Sequence, residues 1–357
     1  MEGIRQYIPI QNLYYLLCYA WDLAEQRDKI KVDAEHCNTY PDLFAKLLVA
    51  GCQRLFRYGL YHEYVNIEEE RYGVKGKLDV SKSIKSNHWK EGRIHCNYDE
   101  NSDDVLINQI IYATLRRLLS YDDLEDVNHK AVRSVYLQFP QVSWINLSKE
   151  DFEKVNITRN NRFYGLLVHI CKLIYESLLP DEHTKGKYHF LDFSKERLNA
   201  IFERFLFNFY KKEYRKEEDV ERSHINFLMT PVGEETENHL PTMITDVTMT
   251  NRKSKRKIIL DAKYYVQTLV SRPEEGSKDH IRREHISQIM SYVLNQEDNS
   301  LPYTLSTNGI LVYPKVQKPI FDTYRYRNTD HYIRVCTVDL NKDWKEIDKR
   351  LREIIEF

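Results

Sequence analysis

The chain has 357 residues, of which 30% are charged and 42% hydrophobic, and its formal net charge is −1. That length suits two domains, and that composition suits a globular protein rather than a disordered or fibrous one. A balance so near zero excludes a global basic field, so any affinity for nucleic acid must come from local patches. The six cysteines are scattered without a C-x-x-C pair, which argues against a zinc site or a disulfide framework. There is no signal-peptide pattern and no apolar run of the roughly 18 residues that a membrane span needs. The chain is therefore expected in the cytoplasm, away from membranes. A G-x-x-x-x-G-K-[ST] phosphate loop is missing, so any nucleotide hydrolysis linked to this protein falls to another chain.

The segment from Ile8 to Asp22 opens the fold. Pro9 suits a first helical turn. Leu13, Leu16, Leu17 and Ala20 follow helical spacing while Tyr14, Tyr15, Cys18 and Tyr19 cover the rest, the pattern of a buried helix. Pro41 to Tyr58 predicts a second helix with Leu43, Phe44, Leu47, Leu48 and Leu55 as its stripe. Strand-like pieces follow at Tyr61–Ile67, Val74–Val80 and Ile94–Tyr98. Between the last two lies a polar, basic stretch with Lys82, Lys85, Trp89 and Arg93, expected as a long hairpin or projecting loop. It is either a solvated loop or a surface for a partner or a DNA backbone. Val105–Ser120 reads as a helix, Val132–Phe139 as a strand, and the Asn160-Asn161 region as the domain boundary, giving domains 1–160 and 161–357.

In the second half, Arg162–Leu179 predicts a long helix and Asp181–Lys187 a polar loop. Lys195–Tyr214 is an amphipathic helix in which Glu203 interrupts an aromatic face. Two strand-like runs then flank the turn Asn251–Arg256. Asp246 lies in the first run; Asp261 and Lys263 lie in the second. Side chains two apart on a strand share a face, so Asp261 and Lys263 project together and Asp246 can face them from the neighbouring strand. Burying Asp261 behind Ile258-Ile259-Leu260 without a partner would be costly. The turn, with Lys253, Lys255, Arg256 and Lys257, is the densest basic cluster in the chain, suited to gripping phosphates beside such a site. Ser271–Lys278 reads as a loop. The helix Arg282–Val293 sets Gln288 and Tyr292 on one face. Strands at Gly309–Pro314 and Ile333–Val338 and a helix at Trp344–Ile355 complete an α/β order with a mixed central sheet.

Two carboxylates and a lysine so placed suit metal-assisted phosphodiester hydrolysis, with Mg²⁺ (or Mn²⁺ in its stead) held by Asp246 and Asp261 and Lys263 orienting water or offsetting phosphate charge. A structural Asp261–Lys263 salt bridge is the plain alternative. Asp246 with Asp261-Ala262-Lys263 resembles the PD-(D/E)XK nuclease superfamily, although Thr245 stands where its proline usually does. The resemblance implies a catalytic or metal-linked role for Glu203, which is equally consistent with a salt bridge to Arg204. It also implies a positioning role for Gln288, whose Gln-x-x-x-Tyr pattern is similar to that of RecB-like nucleases. The opening segment, Tyr72-Gly73-Val74-Lys75-Gly76-Lys77-Leu78-Asp79, Asn108 with Leu115–Leu119, and the late D…D-A-K together resemble the McrC family, the nuclease subunit of McrBC modification-dependent restriction systems. That likeness implies a DNA endonuclease activated by, and stimulating, a McrB-like AAA+ GTPase ring. It implies an N-terminal docking domain whose projection enters the ring, with Lys82, Lys85, Trp89 and Arg93 as its candidate contacts. Double-stranded DNA would be the substrate, and cutting both strands would need two copies of the nuclease domain. Two other expectations stand beside it: an assembly factor with a vestigial site, and a DNA-repair nuclease that needs no GTPase.

Overall fold

The computed structural model describes residues 10–26, 39–159, 161–180, 188–190, 195–230, 232, 239–264, 269–271, 279–316 and 318–357. Pro9, Asn160 and the loops expected at 181–187 and 272–278 lie outside the described residues. The chain divides into two compact units, one of Met1–Thr39 with Asp192–Phe357, the other of Tyr40–Leu191. This corrects the single boundary expected near Asn160. The first helix, α1 (Ile10–Ala20), belongs with the C-terminal half.

The middle unit holds α2 (Tyr40–Tyr58), β1 (Glu63–Tyr72), β2 (Lys77–Leu78), α3 (Val80–Ser86), β3 (Arg93–Ser102), α4 (Leu106–Leu119), α5 (Asp126–Gln138), α6 (Lys149–Lys154), α7 (Arg162–Ser177), β4 (Leu178–Pro180) and β5 (Tyr188–Phe190). Helices α2, α4, α5 and α7 pack on one another. β1 and β3 pair antiparallel along their full length, from Glu63 with Ser102 to Tyr72 with Arg93. Asn108 is fully buried and donates to Tyr61 O at 2.7 Å and Asp103 O at 2.8 Å, so one amide clasps both ends of this ribbon. The polar stretch at its far end is more ordered than expected. Asp79 accepts from Lys82 N at 2.9 Å and starts α3, where a loop was foreseen. At Gly76 φ is +68° and a Cβ would stand 2.6 Å from Asn97 O, so only glycine turns the chain there. The strand expected at Val132–Phe139 is the end of α5 instead. Asn128, Val132 and Val135 are its buried residues, at helical spacing, and Tyr136 stacks on Tyr112 of α4 at 4.6 Å.

The other unit continues with α8 (Lys195–Glu213), β6 (Glu218–Glu221), β7 (His224–Ile225), β8 (Met243–Ile244), β9 (Val247–Asn251), β10 (Lys257–Ala262), β11 (Leu269–Ser271), β12 (Asp279–Ile281), α9 (Arg283–Leu294), β13 (Asn308–Pro314), β14 (Phe321–Arg325), β15 (Tyr332–Val338) and α10 (Trp344–Ile354). Six strands form one mixed sheet in the order β14-β15-β13-β10-β9-β6. β10 is antiparallel to β9 and parallel to β13, as a buried central strand of an α/β layer should be. Side chains alternate across it. Ile258, Leu260 and Ala262 enter a core with α1, α8 and α10, while Ile259 faces Ile289 and Val293 of α9. Tyr19 of α1 packs between Phe209 and a stacked Trp344, and Asn12 donates to Leu340 O and Lys342 O at 2.7 Å each. Among the described residues no helix is long and apolar enough to cross a membrane.

Candidate active site

The alternation that sends Ile259 toward α9 sends Asp261 and Lys263 the same way. The β9–β10 register pairs Val247 with Leu260, which sets Asp246, just before β9, opposite Asp261. Asp246 sits in a bend rather than in the strand proper, and its Oδ2 accepts from Ala262 N at 2.8 Å. Directly opposed residues of an antiparallel pair hold their Cβ atoms about 5 Å apart, so both carboxyl groups emerge at one end of the sheet.

Lys263 completes the set. Its Nζ lies 2.8 Å from Asp261 Oδ2 and donates to Gln288 Oε1 at 2.8 Å. Gln288 Nε2 donates to the Tyr292 hydroxyl at 2.8 Å, and that hydroxyl donates to Ile244 O at 3.1 Å. A carbonyl can only accept, so each bond's direction is fixed along the chain and the amide oxygen of Gln288 must face the ammonium. From the other side, α8 presents Glu203. Asn199, one turn earlier, donates to Glu203 Oε1, and its own oxygen accepts from Tyr264 N at 2.8 Å. This amide ties Glu203 to the main chain directly after Lys263.

Burial raises the pKa of all three acids. Asp261 is 1% exposed and rises to about 7, the carboxylates of Asp246 and Glu203 adding to a burial effect that Lys263 only partly offsets. Asp246 and Glu203 are raised too, first by burial, and Arg222 works against both shifts. His285, on the first turn of α9, has its pKa lowered to about 4 by burial and by Lys263 and Arg282, so it adds no charge near neutral pH.

This arrangement fits a hard divalent cation. Asp261 Oδ2 is buried and forms the salt bridge with the Lys263 ammonium at 2.8 Å that the sequence left open, yet its pKa stays raised, so this one cation does not offset the burial. Three acids raised by burial around one ammonium leave room for a further positive ligand. Among the described residues no three His, Cys, Asp or Glu side chains gather into a self-sufficient metal site. Mg²⁺ does not ask for one, because it keeps several waters and takes substrate phosphate oxygens beside one or two carboxylates.

Comparison with known proteins decides the family. The model of the McrBC 5-methylcytosine restriction system component matches residues 6–314. The chain belongs to this McrBC family. The type IV methyl-directed restriction enzyme EcoKMcrBC of Escherichia coli K12 is 30% identical over 353 residues, covering 98% of this chain and 97% of that protein. A chain of the Thermococcus gammatolerans half-complex of McrB AAA+ hexamers with bound McrC superposes with a TM-score of 0.59. It is 19% identical, over 97% of this chain and 75% of its own, a likeness of fold. The family read from the opening segment and the D-A-K motif is thus the right one, and the α/β class agrees with it.

The remaining candidate residues of this McrBC-family chain lie elsewhere. The basic turn does not adjoin the carboxylates as expected. β9 runs from Asp246 to the turn and β10 from the turn to Asp261, so a strand's length, roughly 16 Å, separates Arg256 from Asp261. Lys257 donates to Gln296 Oε1 at 2.5 Å and Arg256 reaches Ile355 O at 3.5 Å, both half-buried; Lys253 and Lys255 stay exposed. Lys82, Lys85, Trp89 and Arg93 gather at the far end of the β1–β3 ribbon. There Lys82 pairs with Glu68, Arg93 donates to the Tyr72 hydroxyl at 3.1 Å, and Trp89 is 52% exposed. Sequence reasoning missed Asn199 and Arg222. Asn199 had a signal, its i,i+4 spacing to Glu203; Arg222 had none.

Proposed function

We propose that this chain is the DNA-cleaving subunit of a methyl-directed restriction complex, a Mg²⁺-dependent endonuclease of PD-(D/E)XK type that acts with a McrB-like AAA+ GTPase ring. The observation that carries it is Asp261, buried beside Lys263 and facing Asp246, with a pKa raised although the ammonium is 2.8 Å away. A group so costly to the fold has its use in chemistry. Asp246 and Asp261 would hold the ion, which when bound supplies Lewis acidity toward the scissile phosphate and an acidified water. Lys263, aimed by Gln288 and Tyr292, orients the attacking water and offsets charge gathering on the phosphate. Glu203, with its pKa above the usual carboxylate range, is suited to take a proton at the site's α8 side.

The ribbon supports the partner half of the reading. Tyr64, Val74 and Ile84 on it are between 64% and 79% exposed, on a stiff arm with paired backbones, and large exposed apolar side chains mark partner surfaces. It would dock on the ring and raise its GTP hydrolysis, with Trp89 and Lys85 among the contacts. Reading the modified cytosine falls to the ring partner, and cutting both strands calls for two copies of the nuclease unit. The test is cleavage of methylated duplex DNA by the chain with its ring partner, GTP and Mg²⁺. Asp261→Asn should abolish cleavage and leave GTPase stimulation intact. A wild-type chain that stimulates the ring but never cuts would mark an assembly factor, and cutting without nucleotide would mark a repair nuclease.

A further inference from the structure

The basic turn lies at the far end of the sheet from the carboxylates, so something else must bring phosphate charge to them. β6 is the edge strand, and it pairs with β9 from Glu218 opposite Asn251 at the turn to Glu221 opposite Thr248. Arg222, the next residue, therefore falls opposite Val247, and Ser223 after it comes level with Asp246. Its backbone is pinned there, because Ser223 N donates to Thr245 Oγ1 at 2.9 Å and Thr245 N donates to Ser223 O at 3.0 Å.

The guanidinium of Arg222 stands 5.4 Å from the centre of the Phe207 ring, and Lys211 Nζ stands 5.3 Å from the same ring. Glu203, Phe207 and Lys211 are four apart on α8 and so form one row, about 6 Å between members. α8 runs from the catalytic end, where Asn199 holds Tyr264, to the turn, where Arg252 N donates to Glu217 O at 3.0 Å. The row thus leads from the carboxylates to Lys253 and Lys255. Arg222, Lys211, Lys253 and Lys255 are all exposed. Among the described residues none of them forms an ion pair. Nearby Asp219 is already occupied by Arg252 at 2.9 Å.

We propose that the β6 edge and the outer face of α8 form a track for the DNA backbone, with Arg222, seated on Phe207, gripping the phosphate nearest the reaction centre. An aromatic seat pre-orients the planar fork, and that fork matches phosphate oxygens. This inference rests on the nuclease reading.

The test uses the full chain with its ring partner, GTP, Mg²⁺ and methylated duplex, with cleavage measured against DNA concentration at 50 to 200 mM salt. Arg222→Ala combined with Lys211→Ala should raise KM and flatten its salt dependence by about two counterions, a difference of roughly tenfold across that range. Arg222→Lys should keep most of the slope, since a point charge still holds a phosphate; a merely structural arginine would show no such rescue. If wild type cuts and the double variant matches it in KM and slope, the track is refuted while the nuclease reading stands. If wild type cuts nothing, the nuclease reading fails and the track fails with it.

Discussion

Replacing Asp261 by asparagine should stabilise the metal-free protein while destroying its activity. The pKa of Asp261 rises from 3.8 to about 7, first through burial, and a rise of that size is worth about 4 kcal/mol. The folded chain holds this proton more tightly than the unfolded chain. The group's contribution is therefore full at low pH, falls as pH climbs past the unfolded value, and is lost by about pH 7. Above that, the ionised carboxylate weighs on the fold until a cation arrives. Asparagine keeps the shape and cannot ionise, but it also deprives Lys263 of its counter-charge, which offsets part of the gain. The net stabilisation at pH 8 without metal should be about 1–3 kcal/mol, or about 3–8 °C in Tm. Adding Mg²⁺ should reverse the order. Wild type gains about 2.7 kcal/mol at a hundred times Kd, and the variant gains none. Because the ion displaces a proton, wild-type affinity for Mg²⁺ should rise with pH up to about 7 and then level off. Thermal melting of both proteins at pH 8, with and without Mg²⁺, checks all of this. An asparagine variant that melts below wild type without metal, or that Mg²⁺ stabilises equally, would refute the reasoning.

Lys263→Ala should abolish cleavage and leave ring binding and GTPase stimulation unchanged; losing all three, measured side by side, would make the lysine structural. Tyr292→Phe removes the hydroxyl that both accepts from Gln288 and donates to Ile244 O. Leaving such a donor unpaired costs about 1–3 kcal/mol; if that strain falls on the aim of Lys263, single-turnover cleavage should drop about ten- to a hundredfold. A lower Tm with an unchanged rate would show that the relay only holds the fold. Trp89→Ala with Lys85→Ala should weaken binding to the ring by about 1–3 kcal/mol, the usual worth of an exposed aromatic anchor. The same variant should keep the wild-type Mg²⁺ shift in Tm, and calorimetric titration against the ring partner reads the difference.

The elements with strong period and length were legible. The opening helix, the β9–β10 hairpin and the Asp261-Lys263 face follow from residue spacing alone. Val132–Phe139 misled because Val132-Arg133-Ser134-Val135-Tyr136-Leu137-Gln138-Phe139 carries β-favouring residues. Its true period shows only when Asn128, buried with Val132 and Val135, is included. β6 was invisible because Glu218-Asp219-Val220-Glu221 is a short charged edge, the design that keeps edges from pairing further. Asn199 and Arg222 matter through neighbours far away in sequence, Tyr264 and Phe207, which no local pattern brings together. Sequence nearness places the turn beside the carboxylates, but a hairpin separates its tip from its open end by construction.

Helix α1 is the first of the described elements and yet lies in the core with α8 and α10. As the polypeptide leaves the ribosome, this aromatic helix must wait, without its partners, until the last helix has been made. An incomplete copy therefore lacks the finished core of this unit. The same wiring bears on anyone wishing to isolate this unit. Cutting the gene at the apparent midpoint would strip Tyr19 from Phe205 and Phe209, whereas splicing Thr39 directly to Asp192 would keep that unit whole.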